Sequence, residues 1–504
     1  LLARRKDSGF RWHGPQVSKR LPYAQKLYQG TWDVPYVSDP FEPRNVENGF
    51  NKRVANVTVL EELSTSMSND LGTYWNYLKE LKQFVHQFII SHFQPIEFCD
   101  NDESFDSWLN SCEHYNEQRK NQLRKAYIKY RERGLYDRDY TCKSFIKREF
   151  YEEFKYPRLI NSRSDLFKVS VGPIIKRIED VVYQLPYFVK GKIVTDLAPQ
   201  LLKLSKYPYI LETDYSAFEG SFSPEYTDCV EEQLFKYMCS LNPSILKIID
   251  RVYHRNGRPA RQRMVSKNYE AFVVGSRMSG EMWTSLANGF SNLMNMLFLM
   301  KKYNIEGEGY VEGDDGIFGL SKQTINERDF RMLGFRIKMN YGHDISHTSF
   351  CGNVFDPIDQ HVIVSPENIA RLQWSCNSEY LSSRDSIKMA LLRAKAMSLY
   401  CIAKHTPIAG LLAYKVLKMI GIDGNIIIPS GRRYWRMEVL KHFDKGNFIC
   451  PSVTDNARFL YASKFNVSLA CQLECERIID AANSLQELLL PYVFLNRDLD
   501  YLYY

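Results

Sequence analysis

The chain has 504 residues and a mass of 59.1 kDa, too long for one compact core, so two or three lobes sharing core are expected. Hydrophobic residues make up 44% and aromatics 14%, which excludes a disordered or low-complexity protein. Sixty-six Lys and Arg against fifty-nine Asp and Glu leave +7, a mild surplus whose clustering matters more than its size.

The opening "LLARRKDSGFRWHGP" lacks an initiator Met and the apolar core of a targeting signal, and reads as a cleaved or trimmed start. The spacing in "DLGTYWNYLKELKQFVHQFIISHF" predicts an amphipathic helix over 70–93. Basic residues gather in 117–134, 143–168, 251–263 and 431–436, often with Tyr or Phe between them. Each stretch alone would serve as a solvated helix face; the mixture of basic and aromatic side chains also suits a phosphate backbone and stacked bases.

Between about Tyr207 and Asp356, short strands alternate with one long helix, the pattern of a mixed α and β layer. In "PYILETDYSAFEGSF" a strand over 208–213 delivers Asp214 at its end, where a sheet holds functional groups while the loop side stays open. A turn aspartate is the plainer alternative. In "SGEMWTSLANGFSNLMNMLFLM", Met282, Leu286, Phe290, Leu293, Leu297 and Met300 step by three or four and define a core face. Thr284, Asn288, Asn292 and Asn295 recur with the same step on another face. An uncharged polar stripe is an odd choice for solvent and a good one for sugar hydroxyls, although bonding to neighbouring loops would also occupy it. The same polar interruptions exclude a membrane span in the most apolar window of the chain.

"EGYVEGDDGIFGL" sets two short strands about Gly313, Asp314 and Asp315, with like charges side by side. Divalent cations invert the local field and make such a carboxylate cluster favourable. Beyond 356 the apolar spacing of "RDSIKMALLRAKAMSLYCIA" and "CQLECERIIDAANSLQELLLPYV" predicts a helical lobe. Eleven scattered cysteines without a CxxC pair predict free thiols and no cysteine metal site.

Taken in order, these segments resemble the palm of RNA-dependent RNA polymerases of positive-strand RNA viruses, closest in flavour to tombusvirus-like and nodavirus-like replicases. Motif A is matched by Asp214 with Glu219 five positions on, motif B by Ser279, Gly280, Thr284 and Asn288, and motif C by Gly313, Asp314 and Asp315. "FIKREFYEEFKYPRLINSRS" looks like motif F, with Lys147, Lys155, Arg158 and Arg163 in the places of its triphosphate- and template-contacting bases. "LGFRIKMNYG" is similar to motif D with Lys338, and "SFCGNVFD" to motif E. One departure is Glu219, where the family usually carries an aspartate that helps the motif B Asn read the ribose 2'-hydroxyl.

The resemblance implies an α+β right-hand fold. An N-terminal extension and fingers with motif F would span 1–206, and a palm with a small, mostly antiparallel sheet packed on helices would span 207–356, with a fingers insertion near 240–275. A mainly helical thumb would span 357–504. It implies RNA-templated RNA synthesis from NTPs by two-metal transfer to a 3'-hydroxyl, with Asp214, Asp314 and Asp315 holding two Mg²⁺ ions (Mn²⁺ a possible substitute) and Lys338 protonating pyrophosphate. Implied partners are a single-stranded RNA template, nascent RNA, NTPs, other viral replication proteins and, indirectly, host membranes. Implied localisation is the host cytoplasm, in membrane-associated replication complexes. A reverse transcriptase shares the palm but favours a tyrosine before the paired aspartates, where this chain has Glu312 and Gly313. A non-catalytic RNA-binding replicase subunit would have no reason to keep all three aspartates. No GxxxxGK[ST] occurs, which disfavours a P-loop NTPase.

Overall fold

The computed structural model describes residues 1–504 except 15–24, 31–35, 38–41, 67–68, 152–153, 377–379, 381–382, 430–432 and 492–504. The chain opens on strand β1 (Ser8–Trp12) and continues into helices α1 (Asp70–His92), α2 (Asp102–Ser111) and α3 (Glu117–Arg133). The side chains of Asn101 and Asn116 accept from backbone amides in the first turns of α2 and α3, satisfying donors that a helix start leaves orphaned. Strands β2 (Cys142–Ile146) and β3 (Leu159–Ser162) precede helix α4 (Asp165–Val182).

Next come β4 (Tyr209–Tyr215), α5 (Glu231–Met238), α6 (Pro243–Tyr253), β5 (Arg261–Val265) and β6 (Tyr269–Val274). The long helix α7 (Thr284–Lys302) leads to the hairpin β7 (Gly307–Glu312) and β8 (Asp315–Leu320), then β9 (Ile337–Gly342), β10 (Asn353–Phe355) and β11 (Val362–Val364). The remainder is mainly helical, with α8 (Asp385–Ala403), α9 (Ala409–Ile420), α10 (Asp455–Phe465) and α11 (Leu469–Ala481). The fold is thus mixed α and β, with small and mostly antiparallel sheets. All eleven cysteines are free thiols. Among the described residues, no helix is long and apolar enough to cross a membrane.

Four antiparallel strands in the order β7–β8–β4–β9 form the central sheet. Because side chains alternate across a strand, Leu211, Thr213 and Tyr215 of β4 share a face with Phe318 and Leu320 of β8, and this face packs on α7 and α1 in the largest core. Ile210, Ile317 and Tyr310 point the other way and are covered by residues 189–204 and by β10 and β11. That cover stops short of the far end of the sheet, where Asp214, Asp315 and Lys338 are exposed. The register is strongly specified: a one-residue slip of β8 would drive Asp315 into the core and expel Phe318, whose burial stabilises the fold by about 1.5–3 kcal/mol.

A second, five-stranded sheet in the order β1–β6–β5–β2–β3 is antiparallel except between β5 and β2. It joins 261–274 to strands from the first 165 residues, over a core containing Phe50, Leu159, Met264 and Met278. Core is shared across position 206, as expected of lobes that are not packed separately. Val189, Ile193, Leu197, Leu201 and Leu204 lie in one core with α8, α9 and α11, and Leu490 donates its backbone N–H to the carbonyl of Gly30. Spacing along the chain could not reveal these contacts, because they join segments hundreds of residues apart.

Candidate active site

Register builds the centre of the site. Lys338 of β9 lies opposite Asp214 of β4, and Asp315 of β8 lies opposite Glu312 of β7. Thr213 pairs with Gly316, so one further step along β4 and β8 sets Asp214 against Asp315. Directly opposed residues point to the same face with Cα atoms about 4.5–5.5 Å apart. One rung of the sheet therefore carries Lys338, Asp214, Asp315 and Glu312 on its open face. Asp314 sits in the tight turn beside them, which Gly313 permits by adopting φ +61°.

The carboxylates feel one another. Although the Asp315 side chain reaches solvent at the open end of the sheet, the protein crowded around its carboxyl desolvates it, and this, followed by the charges of Asp314, Asp214, Glu312 and Glu212, pushes the carboxyl up to about 7. Burial and the charge of Glu219 likewise raise Asp314, against the pull of Arg158. Among the described residues no ion pair involves Asp214, Asp314 or Asp315, whereas Glu312 is held by Lys190 at 2.8 Å. Hard oxygen donors, mutually repelled and without a cationic partner of their own, are of the type that divalent metals of the Mg²⁺ class take, but here the oxygens of Asp214, Asp314 and Asp315 do not all lie within 4.8 Å of one another.

This repulsion has a pH signature. An unfolded Asp315 would titrate near 3.9, so between about 4 and 7 the folded chain holds the extra proton and stability falls as pH rises, the penalty being complete above about 7. Without divalent metal, Asp315→Asn should therefore raise Tm at pH 8 and raise it less at pH 5. An equal gain at both, measured by thermal denaturation, would remove the repulsion as its cause.

Helix α7 lies behind the sheet, and its polar side chains do not form one stripe. Asn288 is buried and donates to Oε1 of Glu219 at 3.2 Å, leaving its own Oδ1 without a partner. The Thr284 hydroxyl accepts from the Gly280 amide at 3.2 Å and lies 3.0 Å from the Glu281 carbonyl, so it ties the Ser279–Gly280 loop to the start of α7. Ser279 joins that loop to β3, its carbonyl accepting from the Asn161 amide at 2.6 Å. Asn292 and Asn295, expected on a ligand-facing stripe, are fully buried instead. Asn292 bonds the carbonyls of the Gly313–Asp315 turn, and Asn295 meets the hydroxyls of Tyr226 and Tyr215. On a helix packed on every side, equal spacing does not separate residues that face a cleft from those that satisfy neighbours.

The basic segment before α4 divides in two. The Arg158 guanidinium is raised despite its burial, because Glu149, Glu219 and Asp314 surround it. Lys147 sits 2.7 Å and Arg158 3.8 Å from Glu149. Burial opposes charge on that carboxyl, but the two cations hold it below its usual range. Lys155 is exposed, its ammonium 5.8 Å from the ring centre of Tyr151. Arg163, expected among the triphosphate contacts, is placed elsewhere. Its Nε lies 2.7 Å from Glu281, with further bonds to the Tyr140 carbonyl and to Gln262, and it is only 3% exposed. With these partners it has no free donor face for a nucleotide.

Sequence reasoning passed over Glu312 and Lys190, although the pairing of Glu312 with Asp315 follows from a two-residue hairpin turn. It also passed over Glu232, Asp250 and His254, whose ligand atoms lie within 4.8 Å of one another on α5, α6 and the residue after it. Lys236 contacts Glu232 at 3.1 Å and His254 contacts it at 2.6 Å, so Glu232 is paired without an ion.

Residues 192–398 match the family model described as viral RNA-dependent RNA polymerase. The RNA-directed RNA polymerase of greasy grouper nervous necrosis virus is 25% identical over 265 residues, covering 50% of this chain and 26% of that protein. That of Atlantic halibut nervous necrosis virus is 25% identical over 250 residues, covering 47% and 25%. The chain thus spans about a quarter of the length of these curated relatives. The resemblance read from the motifs to a positive-strand virus polymerase is borne out over the matched segment, which includes every residue from Asp214 to Lys338 discussed above and excludes the basic segment 143–168.

Proposed function

We propose that this chain is an RNA-dependent RNA polymerase of a positive-strand RNA virus, joining nucleoside triphosphates to the 3'-hydroxyl of a growing RNA. The observation that carries this reading is the convergence of Asp214, Asp314 and Asp315 on one end of the central sheet, faced by Arg158 and by the Asn288–Glu219 pair. The central sheet with α7 would be the palm. The five-stranded sheet would belong to the fingers, with 240–275 inserted into it, and the helices beyond 357 would be the thumb.

Asp214, Asp314 and Asp315 would hold two Mg²⁺ ions, or Mn²⁺ in their place, which when bound lower the pKa of the attacking hydroxyl and neutralise the leaving oxygens. Arg158 and Lys147 already face a carboxylate, Glu149, so an incoming triphosphate competes for cations that are positioned and charged. Lys155, exposed beside them, would add to the same anion site. Lys338, on the rung with Asp214, would give a proton to departing pyrophosphate. Ser279 and Gly280 would form the loop that adjusts as the nucleotide is accepted. Aromatic and basic side chains of the outer lobes would line the single-stranded template path. Work in the host cytoplasm, on membranes and with other viral replication proteins, is part of the same proposal.

Purified protein given single-stranded RNA, four NTPs and Mg²⁺ should make complementary RNA, resolved on a gel with and without primer. Absence of product would favour a non-catalytic RNA-binding subunit. A product made better from dNTPs would favour a reverse transcriptase. The unpartnered Oδ1 of Asn288 offers an acceptor for a ribose 2'-hydroxyl while Nδ2 keeps Glu219 in place. Asn288→Ala should therefore raise dNTP incorporation relative to NTP by about tenfold, the worth of one hydrogen bond. An unchanged ratio in competition assays would assign that amide another task.

A further inference from the structure

Two strands carrying adjacent carboxylates will not hold a tight turn in place by those carboxylates, which repel one another. Something must fix the backbone independently of the charges. Three successive carbonyls of this turn, those of Gly313, Asp314 and Asp315, lie 3.3, 3.2 and 3.0 Å from one nitrogen, Nδ2 of Asn292. Two N–H hydrogens serve three acceptors, so at least one is shared. The approach is possible because residue 316 is glycine: a Cβ there would sit 3.2 Å from Asn292 Nδ2 and 2.6 Å from the Thr213 hydroxyl. One helical turn earlier, Asn288 reaches Glu219 from the same helix. A helix packed on all sides thus extends two amides, one to the segment after Asp214 and one to the turn that bears Asp314 and Asp315.

We propose that Asn292 is a positioning residue for the metal-binding carboxylates: its amide gathers the turn carbonyls onto α7 and so sets where Asp314 and Asp315 stand relative to Asp214. This rests on the polymerase reading. Asn292 touches neither substrate nor metal and acts only through the turn. Residues that orient metal ligands in this manner typically change metal affinity or turnover by about 10–100-fold when lost.

The test uses the full chain. Asn292→Leu keeps the approximate volume and removes the donors, Asn292→Ser is a gentler change that keeps a small donor, and Asn295→Leu is a control for loss of a buried amide on the same helix. Mn²⁺ binding is followed by electron paramagnetic resonance, with Tm, RNA affinity, kcat, KM for NTP and the half-saturating Mg²⁺ concentration measured alongside. For Asn292→Leu the expected result is about tenfold weaker Mn²⁺ binding, a matching rise in the Mg²⁺ requirement and about 10–100-fold lower kcat. KM for NTP and RNA affinity should stay close to wild type. Asn292→Ser should fall between, and decides the matter if Asn292→Leu does not fold. Asn295→Leu should lose Tm and keep its Mn²⁺ affinity. Unchanged Mn²⁺ affinity and kcat in the Asn292 variants, or an equal loss of affinity in Asn295→Leu, would overturn the proposal alone. A wild-type protein that makes no RNA would overturn the polymerase reading and this proposal with it.

Discussion

Asp314→Ala should lower RNA synthesis by about 100- to 1,000-fold while leaving the fold and the RNA affinity intact. Nucleotidyl transfer depends on positioning and charge neutralisation, so deleting one of three carboxylates that would hold the metals removes most of the electrostatic advantage of the site. The magnitude follows from the cost of removing a single preorganised charged or polar group at a reacting centre. The accompanying signs are informative. Burial and Glu219 already raise the Asp314 carboxyl, so its loss relieves repulsion and Tm should hold or increase. RNA affinity comes from cationic contacts to phosphate, so removing a negative charge should leave it unchanged or slightly tighter. A gel extension assay, a filter-binding curve and a melting curve on the same preparation separate the three effects. Synthesis within tenfold of wild type would sink the metal role of Asp314. Lost synthesis together with a lower Tm would show that the turn is merely structural.

The parts of this protein that were legible in the sequence are those in which local pattern and chemistry coincide. The α1 helix was expected over 70–93 and spans Asp70–His92, because its apolar spacing matches the face that packs on the central core. The Gly313 turn between two short strands follows from its residues, and once β4 and β8 pair, Asp214 must meet Asp315. The roles of the asparagines on α7 were not legible. Asn288, Asn292 and Asn295 obey one spacing, yet Asn288 reaches Glu219 while the amide of Asn292 bonds turn carbonyls and Asn295 meets tyrosine hydroxyls inside the core, and an acceptor without a partner does not separate them, since both Asn288 and Asn292 keep one. Burial of α7 on all sides is a tertiary fact that no periodicity encodes. Nor does spacing encode that residues 189–204 contribute to a core formed with helices near the other end of the chain, although lobes that share core were expected.

Arg163 was misplaced for a reason that strand geometry could have supplied, and its variants carry the largest expected effect on stability. From Arg158 to Arg163 the chain runs through β3 with burial alternating residue by residue, so an odd separation of five sets the two guanidinium groups on opposite faces. Arg158 faces the carboxylates of the cleft, and Arg163 faces inward to Glu281 at 2.7 Å, both side chains being about 2% exposed. Breaking a buried ion pair from one side leaves the other charge without a partner, at a cost of about 3–5 kcal/mol. Arg163→Met should therefore lower the denaturant midpoint by an amount equivalent to that cost, as should Glu281→Met. The double variant should lose less than the sum of the two, because it leaves no orphaned charge. KM for NTP, measured on the folded fraction, should not change in Arg163→Met. A stable Arg163→Met whose only defect is a raised KM would return this arginine to the triphosphate and refute the inward assignment. If instead stability falls and KM holds, the basic segment acts through two faces of one strand: Arg158 toward the nucleotide, and Arg163 as the link that fastens β3 to the loop preceding α7.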